Sequence, residues 1–221
     1  MAGIPEPTIE PVVDELREQI LSGRLESGTR LTQRALAEVL GVSRLPIRDA
    51  LRRLEVEGLV SLEGQGAVVS PMSIDDLGEL FELRGALEPL ACRLAVHNIG
   101  TAQVLLFRQL LQRMREADDM LEWHVAHSEF HSALYRPCRR GRMIEILDIL
   151  RQQSERYVRI HLAEPSMAEW VDEQHEALVQ ALADRDAQRV EELVASHLEA
   201  THQRVALVLL TQEEPSRRAA G

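Results

Sequence analysis

The chain has no lysine: all 25 of its basic residues are arginine, which reads as a coding bias of the source genome rather than as chemistry. Aromatic residues make up only 3% of it, so the core must be filled by Leu, Ala, Val and Ile, a composition that favours helix over sheet. There are two cysteines, Cys92 and Cys138, far apart and outside any CxxC pair. That excludes a disulfide framework and a thiolate zinc knot, and both are expected as reduced thiols. No apolar run approaches the roughly 18 residues needed to span a bilayer, and the start lacks a basic-then-apolar signal. A cytoplasmic protein is expected.

What is present is acidic and long enough for two small domains: 221 residues with a net charge of −11. A uniformly acidic surface repels nucleic acid. The distribution is not uniform, however. Between Arg30 and Arg53 stand six arginines (Arg30, Arg34, Arg44, Arg48, Arg52, Arg53) against two acids, Glu38 and Asp49.

Along the chain, Val12, Val13, Leu16, Ile20 and Leu21 recur at helical spacing over Ile9 to Leu21, and Ser22-Gly23 ends the run. Thr32 can cap a short second helix holding Leu36, Ala37 and Leu40, with Gly41 as its stop. Ser43 can cap a third, Arg44 to Glu57, with Ile47, Leu51, Leu54 and Val56 inward. Past Gly58 the period shortens to Leu59-Val60-Ser61-Leu62, a turn at Glu63-Gly64-Gln65-Gly66, and Ala67-Val68-Val69-Ser70, the pattern of a β-hairpin. Pro71 closes this first domain. Ser73, with Asp76 three positions on, starts a new helix in the manner of a capping box.

From Ile74 to Leu210 only helical periodicity is found. Breaks near Asn98 to Thr101, Asp118-Asp119, Pro137 to Gly141, Glu164 to Ser166 and Asp184 to Asp186 leave about six helices. The predicted architecture is mainly α: a winged helix-turn-helix of three helices and a hairpin over 1–71, an all-helical bundle over 72–212, and a frayed tail over 213–221.

Two short helices meeting at Gly41-Val42-Ser43, the second led by Arg44 with Arg48 one turn later, meet the requirements of a helix-turn-helix. Arg44 and Arg48 share a face on which a guanidinium can grip guanine or phosphate in bidentate fashion, and the helix start offers amides and its dipole to a phosphate. An ordinary solvated face is the plain alternative, but the flanking helix-turn and Gly-tipped hairpin weigh against it.

The ordered string Leu16-Arg17 to Gly23, Leu31, Leu36-Ala37-Glu38, Gly41 to Leu54, Glu57-Gly58-Leu59-Val60 and Gly66-Ala67-Val68-Val69 resembles the winged helix of the GntR family along nearly its whole length. The resemblance implies contacts to operator DNA from Arg34, Ser43, Arg44, Leu45 and Arg48, with Gln65-Gly66 at the wing tip. Leu45, where the family often has Thr, can touch a thymine methyl but cannot hydrogen-bond.

In the second domain four histidines fall on apolar helical stripes: His127 and His131 at i and i+4, His175, and His197. Each must be hydrogen-bonded, protonated against a partner, or bound to a metal. Arg84 lies on the stripe of Leu77, Leu80, Phe81 and Leu87, so its charge needs an anion, either Glu88 at i+4 or a ligand carboxylate. This region is similar to the FCD sensor domain of FadR-like GntR regulators, through Glu82-Leu83-Arg84 with Leu87-Glu88, Phe130-His131, His175 with Ala181-Leu182 and Asp186, and His197-Leu198. The resemblance implies a dimer holding a divalent metal, zinc or nickel, on His131, His175 and His197. His127 stands where metal-binding members carry Asp, and Arg140 where such domains often carry Asn. A small organic-acid effector on the metal and Arg84 is the expectation. The metal itself as the signal is one alternative, a helical metalloenzyme another; the latter lacks paired Glu-x-x-His motifs and a clear general base.

Overall fold

The computed structural model describes residues 9–162 and 166–219, without the side chains of 160–162, 166–169 and 212–219. The chain divides into two compact units, Met1–Ser73 and Ile74–Gly221.

In the first unit, α1 (Ile9–Leu21), α2 (Gln33–Leu40) and α3 (Arg44–Val56) pack on a three-stranded antiparallel sheet of β1 (Arg30–Thr32), β2 (Val60–Glu63) and β3 (Gly66–Val69), in the order β1-β3-β2. The helix boundaries follow the local chemistry. The Thr32 hydroxyl accepts from Ala35 N, and Gly41 ends α2 in the left-handed region at φ 65°. Val13, Leu16, Ile47, Leu51 and Leu54 are fully buried at the centre of the unit.

Three details depart from the sequence reading. First, β1 is an additional strand, its Leu31 opposite Ala67 and its Thr32 opposite Gly66; with three residues and only Leu31 buried, it is too short for a period to be read from the sequence. Second, Ser43 occupies the N-cap position of α3, but its hydroxyl makes no capping hydrogen bond. Third, Val56 points outward and is 64% exposed, because the stripe Ile47, Ala50, Leu51, Leu54 continues at Glu57. Glu57 is buried there and accepts from Arg17 Nε at 2.8 Å and Arg17 Nη2 at 2.7 Å, clamping α3 to α1.

The second unit is a helical bundle: α4 (Ile74–Ala95), α5 (Thr101–Glu116), α6 (Met120–Tyr135), α7 (Gly141–Leu162), α8 (Ser166–Ala183) and α9 (Ala187–Ala219), with short 3-10 turns at Val96–Asn98 and Arg136–Cys138. Helix α4 is central, packed along α9 and covered by α6 and α7. Asp119 caps α6 by accepting from Glu122 N at 2.8 Å. Helices α6 and α7 run antiparallel, tied by Tyr135 donating to Asp148 at one end, with His124 3.6 Å from Glu155 at the other. The backbone of α9 is helical to Ala219, through most of the segment expected as a tail. The break expected at Glu164-Pro165 lies outside the described residues. No helix among the described residues is long and apolar enough to cross a membrane.

Candidate functional site

Two constellations stand out, one in each unit. In the first, α2 and α3 meet through Gly41, and Val42 N reaches back to Ala37 O at 3.1 Å. The turn leaves Ser43, Arg44, Leu45 and Arg48 exposed on the first turns of α3, with Leu45 at 50%. A concave surface gathers Arg34 at the start of α2, Arg44, and the wing residues Gly64, Gln65 and Gly66, together with Arg30 and Glu63. Arg48 donates from Nε to Asp49 at 3.1 Å while remaining half exposed.

The wing tip is Gly64-Gln65. Gly66 is not at the tip: it is buried as the first residue of β3, where a side-chain carbon would stand 2.1 Å from the Leu31 carbonyl oxygen. Its role is to let β1 approach β3. The Gln65 carbonyl accepts from Gln33 N at 3.3 Å, tying the wing to the start of α2.

The second constellation lies inside the bundle. His127 and His131 come from α6, His175 from α8 and His197 from α9. The Nε2 atoms of His127 and His131 are 3.1 Å apart, and the ring centroids of His131 and His197 5.4 Å and of His175 and His197 5.2 Å. Donor nitrogens of His127, His131 and His175 all lie within 4.8 Å of one another. Trp123 stacks on His127 at 4.6 Å, and Phe130 flanks His175 at 4.6 Å.

Burial, reinforced by the neighbouring imidazoles and Arg151, pushes His127, His131 and His175 well below the ordinary histidine range, so all three are neutral at pH 7. Nδ1 of His127 and both ring nitrogens of His175 are buried with no hydrogen-bond partner among the described residues. Gln174 Oε1 lies 2.7 Å from Nδ1 of His197 and can accept a hydrogen bond from it, which would turn Nε2 toward the other imidazoles. The neutral nitrogen donors of His127, His131 and His175, on α6 and α8 within an aromatic shell, are a donor set that fits a borderline divalent cation such as zinc or nickel, while His197 on α9 lies beside the group and outside it.

Beside the histidines, a cavity is lined by Arg84, Arg151, Ser154, Glu155, Val158 and Thr201 among others. Arg84 donates from Nε to Glu88 Oε1 at 2.7 Å and from Nη1 to Ser154 Oγ at 3.0 Å, so of the two partners open from the sequence Glu88 is engaged. Arg151 Nη1 stands 3.8 Å from the same Glu88 oxygen. Burial alone would raise the Glu88 carboxyl, but Arg84 and Arg151 hold it below its usual range. Two buried guanidiniums thus share one carboxylate. The other carboxylate on the cavity, Glu155, is matched by Arg159 at 3.3 Å.

Sequence reading missed Arg151 and His124, though each carried a signal. Arg151 lies on the buried stripe of Leu147, Leu150, Ser154 and Val158. His124 is one turn before His127 on the same inward face, and burial, then Arg159, pushes it down to about 4.

A winged helix-turn-helix followed by an all-helical domain is the architecture of a DNA-binding transcriptional regulator. The comparisons agree: residues 8–69 match the pattern of bacterial regulatory proteins of the gntR family, and residues 79–200 match the FCD domain. An uncharacterized HTH-type transcriptional regulator, BphR of Paraburkholderia xenovorans, is 35% identical over 87% of this chain and 83% of its own length. The gluconate operon transcriptional repressor of Bacillus licheniformis is 28% identical over 79% of this chain and 75% of its own. The solved structure of Escherichia coli McbR/YncC aligns with a TM-score of 0.76 at 25% identity, covering 92% of this chain and 98% of that one. The chain belongs to the GntR family, as a transcriptional regulator with an FCD domain. It is a DNA-binding regulator and not an enzyme.

Proposed function

We propose that the protein is a homodimeric cytoplasmic repressor whose FCD domain holds a divalent metal on His127, His131, His175 and His197 and senses a small organic acid bound beside it. The supporting observation is the charge balance at the cavity: among the described residues three guanidiniums, Arg84, Arg151 and Arg159, stand against two carboxylates, Glu88 and Glu155, an excess of one positive charge. A carboxylate entering the cavity neutralises it, with Arg151 as the principal anchor, Arg84 held beside it by Glu88, and the Ser154 and Thr201 hydroxyls close by. When bound, the metal supplies a Lewis acid for a carboxylate oxygen. The likeness to a gluconate operon repressor is in keeping with an acid effector. Binding there alters operator affinity to the extent that the effector favours one conformational state over another.

Isothermal titration of the protein with small hydroxy- and dicarboxylic acids tests the cavity. The parent is expected to bind at least one of them on the order of 100-fold more tightly than Arg151→Met, since a bidentate buried ion pair contributes several kcal/mol. Equal affinities in parent and variant would refute this anchor.

In the DNA-binding unit, Arg44 and Arg48 read base edges or grip phosphate from α3, with Arg34, Ser43, Leu45 and the wing residue Gln65 around them. Arg48→Ala is expected to weaken binding to operator fragments selected from a random pool by about 1–3 kcal/mol if it reads guanine. If it grips phosphate instead, it lowers affinity evenly across sequences and reduces the salt slope by about one. Fluorescence anisotropy at several salt concentrations separates the two modes, and an unchanged isotherm would remove Arg48 from the interface.

A further inference from the structure

Two cavities reach the imidazole cluster, and different members of the cluster line them. His127, His131 and His197 line the first, beside Arg84 and Arg151. His175 lines the second, a cavity of about 390 Å³ between α5, α6 and α8. Val171 borders both. Met114, Trp123 and Val171 form the apolar sides of the second cavity, and Arg115 and Asp172 stand at its solvent rim.

The two cavities differ in the sign of their charge. The first has an excess of guanidinium over carboxylate. At the rim of the second, among the described residues, Arg115 alone answers two carboxylates. It donates from Nε to Asp172 Oδ1, and from Nη2 to Asp172 Oδ2 and to Glu176 Oε2, each at 2.9 Å. All three side chains remain well exposed, so these ion pairs are weak and readily exchanged. Below the rim the situation is different: His175 is 1% exposed, and neither of its ring nitrogens has a hydrogen-bond partner among the described residues. Asp172 and His175 are three positions apart on α8, which makes them neighbours on its surface. A negative rim above an unpaired neutral imidazole attracts a cation and repels an anion. The space is also sufficient, since a divalent cation with about six waters occupies roughly 180 Å³ at ~30 Å³ per water.

We infer that this second cavity is the port through which a divalent cation reaches the histidine centre, with Arg115 as the displaceable counter-ion at its rim. Asp172 and Glu176 collect the hydrated cation, Arg115 swings aside, and His175 is the first imidazole to replace its waters. A carboxylate is drawn instead to the guanidiniums of the first cavity, so cation and anion do not compete for one path. The inference rests on the reading of the histidines as a metal centre and adds the route that leads to it.

Stopped-flow uptake of nickel ion by the full-length, chelator-stripped protein tests the port. Both tryptophans of the chain stack on imidazoles of the cluster, Trp123 on His127 at 4.6 Å and Trp170 on His197 at 6.0 Å, so bound nickel quenches their fluorescence. Asp172→Asn together with Glu176→Gln lowers the association rate constant on the order of tenfold and flattens its decline with added salt. Arg115→Gln, which frees both carboxylates, raises it severalfold. Ala117→Phe fills the cavity from the end of α5. A blocked route slows passage in both directions, so this variant lowers the association and dissociation rates by the same factor and leaves the equilibrium affinity unchanged. Circular dichroism equal to that of the parent shows that each variant is folded. A parent that binds no nickel overturns the metal centre itself. A nickel-binding parent whose folded variants take up and release the ion at the parent's rates overturns the port while leaving the metal centre intact.

Discussion

Gly66→Ala is expected to cost the DNA-binding unit about 3 kcal/mol or more and to abolish selective operator binding, although the change adds a single methyl group. The added carbon would stand 2.1 Å from the Leu31 carbonyl oxygen and 3.1–3.2 Å from two further backbone atoms of β1. Backbone cannot rotate aside as a flexible side chain does, so β1 must move away from β3 or the wing must swing out. Either movement breaks the Thr32 to Gly66 register and pulls apart the concave surface on which Arg34, Arg44 and Gln65 converge. Gly64→Ala is the control. Nothing stands within 4 Å of its added carbon, and it carries only the cost of a left-handed φ of 57°, about 1–2 kcal/mol. Urea denaturation together with operator binding distinguishes them: a Gly66→Ala protein as stable as Gly64→Ala would contradict the packing described at β1.

Glu88→Gln is expected to destabilise the sensor unit by roughly 3–5 kcal/mol, the range for stripping the partner from a buried charge. The glutamine is nearly isosteric, so packing is preserved and the loss is electrostatic. Arg84 and Arg151 are then left buried around a neutral amide, with Ser154 as the one remaining hydrogen-bond partner of Arg84 among those described. For a unit of this size the thermal midpoint should fall by roughly 10 °C. Adding Arg84→Met to Glu88→Gln removes one of the two unmatched cations and should recover a large part of the loss. A carboxylate ligand should stabilise Glu88→Gln more than it stabilises the parent, because it supplies the missing negative charge. Equal melting points for parent and variant would mean that Arg84 and Arg151 are not dependent on Glu88.

Much of this is written locally. The bounds of α1 and the ends of α2 lie where an apolar stripe meets Gly, Ser or Thr, and these are properties a single segment carries. The histidine centre was legible for the same reason: His127 and His131 are one turn apart, and His175 and His197 sit among aliphatic neighbours at helical spacing. What the sequence hid depends on partners far along the chain. Strand β1 has three residues and exists because β3 is beside it. Val56 is exposed because the inward position next to it is taken by Glu57, which is tolerated in the core only through Arg17, 40 residues away. Arg151 is one of several arginines on α7, and its importance rests on a carboxylate of α4 that no periodicity connects to it.

We propose that His127, His131 and His175, all buried, with the half-buried His197 beside them, form a metal centre next to an anion pocket, and the most direct test is elemental analysis of protein purified without chelator or nickel resin, parent against His131→Ala. The account expects close to one equivalent of zinc, nickel or a similar divalent metal per chain in the parent and little in the variant. Metal-free protein in both cases, still binding its carboxylate through Arg151, would contradict it and leave the histidines as ligand contacts or core residues.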